Sequence, residues 1–154
     1  MNEMKYGGTL IAVQNMEKSK YFYETVMEQK VTMDLGAHVS FEGGLSLQSN
    51  YAELVDAGLK PLSKENNFQL YFETNDLEKW YEKIKLIPEI EFLHGIREYP
   101  WGQRVMRFYD FEQHIVEAAE SMESAAKRCL AQGWSVEQTA KKTMLPADYI
   151  RQLL

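Results

Sequence analysis

The chain has 154 residues, of which 45% are hydrophobic, 26% charged and 12% aromatic, with a formal net charge of −6. This allows one ordinary domain, or a domain of about 120 residues with a small appendage, and it excludes a low-complexity or disordered chain. The apolar runs fall far short of the ~20 residues that cross a bilayer, and the start lacks a signal pattern, so a cytoplasmic protein with no membrane partner is expected. The lone Cys129 excludes an intramolecular disulfide and a multi-thiolate metal cluster.

In chain order, Thr9, Ile11 and Val13 alternate with Leu10, Ala12 and Gln14, the period-2 pattern of a strand. A helix over about 17–28 follows, capped by Asn15 and burying Tyr21, Phe22 and Val26. Strands are predicted over 30–35, 38–41 and 45–48, with Gly36 and Gly43-Gly44 between them. A loop over 50–66 holds a short helix at 52–57 ended by Gly58. The plan then repeats with a strand over 68–73, an Asp76-capped helix to about 85 that buries Leu77, Trp80, Tyr81 and Ile84, and a stop at Pro88. Strands near 89–93, 104–109 and 114–118 complete it. Two βαβββ modules, about 6–58 and 66–120 within a domain over 1–120, predict an α+β fold whose mixed sheet curls around a cleft.

Residues 121–154 are a different object. They hold five basic and three acidic side chains, a balance of +2 that leaves −8 for residues 1–120 within the total of −6. Three helices are predicted, over 122–132, 135–142 and 146–153, spaced loosely like a helix-turn-helix. The acidic whole makes nucleic acid an unfavoured partner. Packing of Cys129, Leu130, Trp134 and Ile150 against the domain or a second subunit is the simpler expectation.

The repeat, with Val13-Gln14-Asn15-Met16-Glu17-Lys18-Ser19 leading into Tyr21-Phe22-Tyr23, resembles the vicinal oxygen chelate superfamily of glyoxalases, bleomycin-resistance proteins and extradiol dioxygenases. Pro100-Trp101-Gly102-Gln103-Arg104 through Asp110, continuing to His114-Ile115-Val116-Glu117, is similar to that family's closing hairpin. Asp110-Phe111-Glu112-Gln113 stands where the family has an Asp-Pro-Asp-Gly turn, so a different hairpin tip is expected. The resemblance covers residues 6–120 and implies a homodimer. Its enzymes hold a metal through His, Glu or Gln side chains, and the matching positions here are Gly8, Gln48, Asn67 and Glu117. One carboxylate and two amides make a poor transition-metal set. The expectation is therefore no metal cofactor. The alternative is a divalent ion held by Gln48 and Glu117 in a glyoxalase-like lyase or dioxygenase.

Glu117 is the candidate catalytic residue; its structural alternative is a carboxylate paired with Arg104 or Arg107 across the hairpin. Strand alternation places Asn67, Gln69, Tyr71 and Glu73 on one polar face, and Gln14, Ser46 and Gln48 on another. With Trp101 and Arg107 nearby, Gln14, Gln48, Asn67, Gln69 and Tyr71 form the expected ligand-binding set, suited to a neutral or cationic small molecule. His114 lies an odd number of residues from Glu117 and so on the opposite face; His38 and His94 are expected in turns or at strand ends. Whether the chain catalyses a reaction is open at this stage, and a ligand sensor with a DNA-contacting tail is a third possibility.

Overall fold

A computed structural model describes residues 3–154. The chain divides into two compact units: residues up to Glu65 together with Asp110–His114, and Asn66–Tyr109 together with Ile115–Leu154.

The first unit contains β1 (Thr9–Ala12), α1 (Met16–Tyr21), a π-helical turn (Phe22–Val26), β2 (Val31–Asp34), β3 (His38–Phe41), β4 (Leu45–Gln48) and α2 (Tyr51–Val55). Its sheet runs β1-β4-β3-β2, with β1 parallel to β4 and the other pairs antiparallel. Ile11, Val39, Phe41 and Leu47 point to the buried side, where Phe22 and Tyr23 are fully enclosed. Gly8 is required at the mouth of the β1/β4 pair. It takes φ 141°, and a Cβ there would lie 2.1 Å from the Gly44 carbonyl oxygen.

Three expectations are corrected in this unit. The first strand stops at Ala12 and does not extend to Gln14, because the Gln14 and Asn15 amides turn to donate to the Glu112 carboxylate, each at 2.7 Å. Asn15 does cap the helix, accepting from the Lys18 amide at 3.0 Å, but the helix widens into the π turn after Tyr21. The short helix of the loop ends at Asp56 in the left-handed conformation (φ 50°), ahead of Gly58.

The second unit repeats the plan with β5 (Leu70–Thr74), α3 (Leu77–Lys85), β6 (Phe92–Glu98), β7 (Arg104–Tyr109) and β8 (Ile115–Glu120), in the order β5-β8-β7-β6. Asp76 caps α3 by accepting from the Lys79 amide at 3.1 Å. The strand expected at 89–93 starts three residues later and runs to Glu98. The Ile90 amide closes a turn onto the Ile87 carbonyl beside Pro88, and two bulges let β6 follow β7.

The chain continues into α4 (Met122–Ala131), α5 (Val136–Thr143) and α6 (Ala147–Gln152). Ser121 and Ser135 cap the first two, the latter with a complete capping box to Gln138. Arg128 ties α4 to the sheet by donating to Glu120 (2.7 Å), Glu98 (3.0 Å) and the Gly102 carbonyl. Cys129 and Ile150 are buried, whereas Trp134 is 39% exposed. The architecture is thus α+β, two βαβββ modules and a helical extension, with the strands in two four-stranded mixed sheets. No helix among the described residues is long and apolar enough to cross a membrane.

Candidate functional site

The polar side of the second sheet is organised by Arg107, which lies directly across the β7–β8 pair from Glu117. Its Nη2 is 2.5 Å from the Glu117 carboxylate, its Nε donates to Gln69 Oε1 at 2.9 Å, and its Nη1 donates to the Tyr99 hydroxyl at 2.6 Å. The same Nη1 is 3.0 Å from His94 Nε2. A guanidinium only donates, so that nitrogen is an acceptor and His94 carries its proton on Nδ1, 2.7 Å from the Gly95 carbonyl. Gln69 Nε2 closes the ring by donating to Glu117 at 2.7 Å. Glu117 is 5% exposed, so its charge is balanced by neighbours and not by water.

Next to this cluster Gln103, also buried, holds three groups together. Its Nε2 donates to the Tyr71 hydroxyl and to the Glu120 carbonyl, both at 3.0 Å, and its Oε1 accepts from Trp101 Nε1 at 3.0 Å. Trp101 stacks on Tyr99 with ring centres 4.9 Å apart. Burial, and then its hydrogen bond to Glu73, push the Tyr71 hydroxyl up to about 12, so it is a neutral donor at physiological pH. Together these residues form an aromatic edge beside a balanced ion pair.

The first sheet presents a chain of neutral groups. Gln48 Nε2 donates to Asn50 Oδ1 at 2.5 Å, and Gln48 Oε1 is 2.8 Å from His38 Nδ1. His38 Nε2 is 2.9 Å from Ser40 Oγ, which is 3.0 Å from Ser46 Oγ.

The first unit also holds a cavity of about 210 Å³, lined by Val13, Gln14, Asn50, Tyr51, Leu62 and His114 among others. Below it lies the turn 110–114. Buried Asp110 accepts from the Tyr23 hydroxyl (2.6 Å), His114 Nδ1 (2.9 Å) and the amides of Glu112 (2.8 Å) and His114 (2.9 Å). Burial alone would push Asp110 up, but hydrogen bonds and charge from His114, with help from Tyr23, hold it below the ordinary carboxylate value. Burial likewise pulls His114 down, and Asp110 outweighs it, so the imidazole sits above its ordinary value. Gln113 takes the left-handed backbone (φ 71°) at the turn position where the resembled family has glycine.

Of the expected site residues, Gln69, Arg107 and Glu117 converge on one cluster; Trp101 joins it by stacking on Tyr99, and Tyr71 is tied to Trp101 through Gln103. Arg107, not Arg104, pairs with Glu117; Arg104 pairs with Glu120 and Glu78. Gln48 belongs to the first sheet, Gln14 lines the first unit's cavity, and Asn67 lies exposed before β5 begins. His38 opens β3, a strand end as expected, whereas His94 lies inside β6 and not at a turn or strand end, and His114 is bound to Asp110. Gln103 and Tyr99 were missed because only the β6–β7 pairing brings them in. In the tail, Lys127, Arg128 and Arg151 are all paired with carboxylates, which lowers the charge available to nucleic acid.

The donor set does not fit a catalytic metal. Gly8 offers no side chain and tolerates none, the Gln48 oxygen faces His38, and Glu117 is already held by a cation and an amide. No group of three or more His, Cys, Asp or Glu side chains among the described residues is placed to hold an ion.

Comparison with known proteins matches residues 6–123 to the family described as a glyoxalase-like domain. Among solved structures, a protein of unknown function from Agrobacterium tumefaciens str. C58 is 30% identical, with 79% of this chain and 97% of that one covered at a TM-score of 0.69. A glyoxalase/bleomycin resistance protein/dioxygenase from Nocardioides is 18% identical, covering 78% and 85% at a TM-score of 0.61. A lactoylglutathione lyase from Agrobacterium tumefaciens is 19% identical, covering 78% and 96% at 0.58. No functionally curated protein matches. With more than three quarters of its length matched, this chain belongs to the glyoxalase-like domain family, within the vicinal oxygen chelate superfamily.

Proposed function

We propose that this protein binds a small neutral or cationic organic molecule through the polar face of its second sheet, without a catalytic metal, as a cytoplasmic homodimer. The observation that carries this is the ion pair of Glu117 with Arg107 at 2.5 Å, reinforced by Gln69 at 2.7 Å. An Arg guanidinium supplies the positive charge that a metal supplies to a chelating carboxylate, and removing it to admit an ion would strand a buried charge. Tyr71 offers a neutral hydroxyl, Trp101 a half-exposed ring 38% accessible, and Gln69 both kinds of amide atom. Anionic ligands are disfavoured, since the only cation of the cluster is already neutralised.

The test is the metal content of untagged protein by elemental mass spectrometry after incubation with Mn, Fe, Co, Ni and Zn salts and desalting. A thermal-shift screen of neutral and cationic organic compounds follows. The expected result is no stoichiometric ion and a ligand-dependent rise in melting temperature that is lost in Tyr71→Phe or Gln69→Ala. About one ion per chain, lost in Glu117→Ala, overturns the proposal in favour of a metal-dependent lyase or dioxygenase.

A further inference from the structure

We propose that the first sheet carries a separate acyl-transfer site, in which Ser40 is the nucleophile, His38 its base, and Gln48 the residue that positions the base. This goes beyond ligand binding and uses no residue of the second sheet.

Hydrogen bonds order the three groups along one line. His38 and Gln48 are directly opposite each other across the β3–β4 pair. Gln48 is 5% exposed, and its amide is oriented by the Nε2 bond to Asn50, which leaves Oε1 facing the imidazole. An amide oxygen only accepts, so His38 Nδ1 carries a proton at 2.8 Å, and the base form of the ring has its lone pair on Nε2, on the other side. That lone pair is 2.9 Å from Ser40 Oγ, so the Ser40 hydroxyl donates to it; the Ser40 oxygen in turn receives the Ser46 hydroxyl at 3.0 Å. Nucleophile, base and orienting acceptor are therefore linked in the order that activates a serine. All three strand positions face one side of the sheet, since Val39 and Leu47, which alternate with them, are buried on the other. His38, Ser40 and Ser46 are only half-buried and so within reach of a substrate.

With a small uncharged carboxylic ester, Ser40 Oγ bonds to the carbonyl carbon while its proton passes to His38 Nε2. Breaking the bond from the acyl carbon to the alkoxy oxygen expels the alcohol, which takes the proton from His38. Water then repeats the sequence and releases the acid and free Ser40. As Ser40 Oγ becomes the ester oxygen, the Ser46 hydroxyl beside it is released to donate to the developing oxyanion. With an activated ester, whose leaving group speeds acylation but plays no part in hydrolysis of the acyl-serine, the acyl-enzyme accumulates. The substrate is uncharged because the chain from Ser46 to Asn50 contains no ionic partner for a charged one.

The experiment treats the full chain with p-nitrophenyl acetate and, separately, with a fluorophosphonate probe, then measures intact mass and maps the modified peptide. An adduct of one per chain on Ser40 is expected, absent in Ser40→Ala and slowed about 100-fold or more in His38→Gln. Gln48→Glu places a carboxylate against the imidazole, so the acid-side loss of labelling moves to higher pH by about one unit, which a merely structural role would not produce. Melting temperatures check folding; if His38→Gln is unfolded, the Gln48→Glu profile decides. Adducts only on other residues, a rate unaltered in folded His38→Gln, or an unmoved Gln48→Glu profile would overturn the proposal. None of these outcomes bears on the metal-content and thermal-shift results, so the two proposals fail separately.

Discussion

In two sheets of equivalent strand order, the third-to-fourth-strand hairpin carries a polar cross-strand pair: His38 opposite Gln48 at the end of the β3–β4 register, and Arg107 opposite Glu117 at the centre of β7–β8. One pair belongs to a line of hydrogen bonds with no carboxylate or guanidinium in it; the other is ionic and locks its neighbours around a fixed charge. A common βαβββ plan therefore sets where a polar face lies without setting its chemistry. The first unit does keep a buried carboxylate–imidazole pair, Asp110 with His114, but in a turn, where it holds the backbone.

The largest effect expected is from Glu117→Ala. It leaves the Arg107 guanidinium, whose side chain is only 24% exposed, without its counter-charge and should cost about 3–5 kcal/mol in denaturant unfolding. Second is Asp110→Asn, which weakens four hydrogen bonds at a buried site and should cost about 2–3 kcal/mol. The same variant tests pH dependence. Asp110 is depressed in the folded state, so its contribution is present above the ordinary carboxylate pKa and lost as pH falls through the folded value. His114 is raised, so its contribution is complete below the ordinary imidazole pKa and lost as pH rises through the folded one. Urea midpoints should therefore peak in mildly acidic solution, and Asp110→Asn should flatten both slopes.

Gln48→Ala should cost less, about 1–2 kcal/mol, because it removes neutral hydrogen bonds from half-buried partners. Equal losses for Gln48→Ala and Glu117→Ala would erase the distinction between the two faces. The smallest effect has the opposite sign: Gln113→Gly relieves a left-handed side-chain position and should stabilise by about 0.5–1 kcal/mol, seen as a raised melting temperature.

Much of the fold was legible because it rests on local rules. Alternation marked β3, β4 and β7 with their observed bounds, Asn15, Asp76 and Ser135 announced helix starts, and Pro88 announced a stop. Where the expectation slipped, a partner distant in sequence had intervened. Glu112 ended β1 early from almost a hundred residues away, and bulged pairing with β7 displaced β6. The candidate site divides the same way. Gln69 and Tyr71 followed from period-2 alternation and Glu117 from the resemblance to the family's closing hairpin, whereas His94, Tyr99 and Gln103 reach the cluster only through β6–β7 register and a turn.

By itself the sequence determined the two βαβββ modules, the helical extension and the poverty of metal ligands, since these follow from periodicity, caps and residue chemistry that each segment carries alone. Only the tertiary structure decided that Arg107 rather than Arg104 neutralises Glu117, that Gly8 is closed to any side chain by the Gly44 carbonyl, and that His38 lines up Gln48 with Ser40. Those outcomes depend on strand register and approach distances of a few ångströms. Such distances are set when separated segments pair, and no local pattern encodes them.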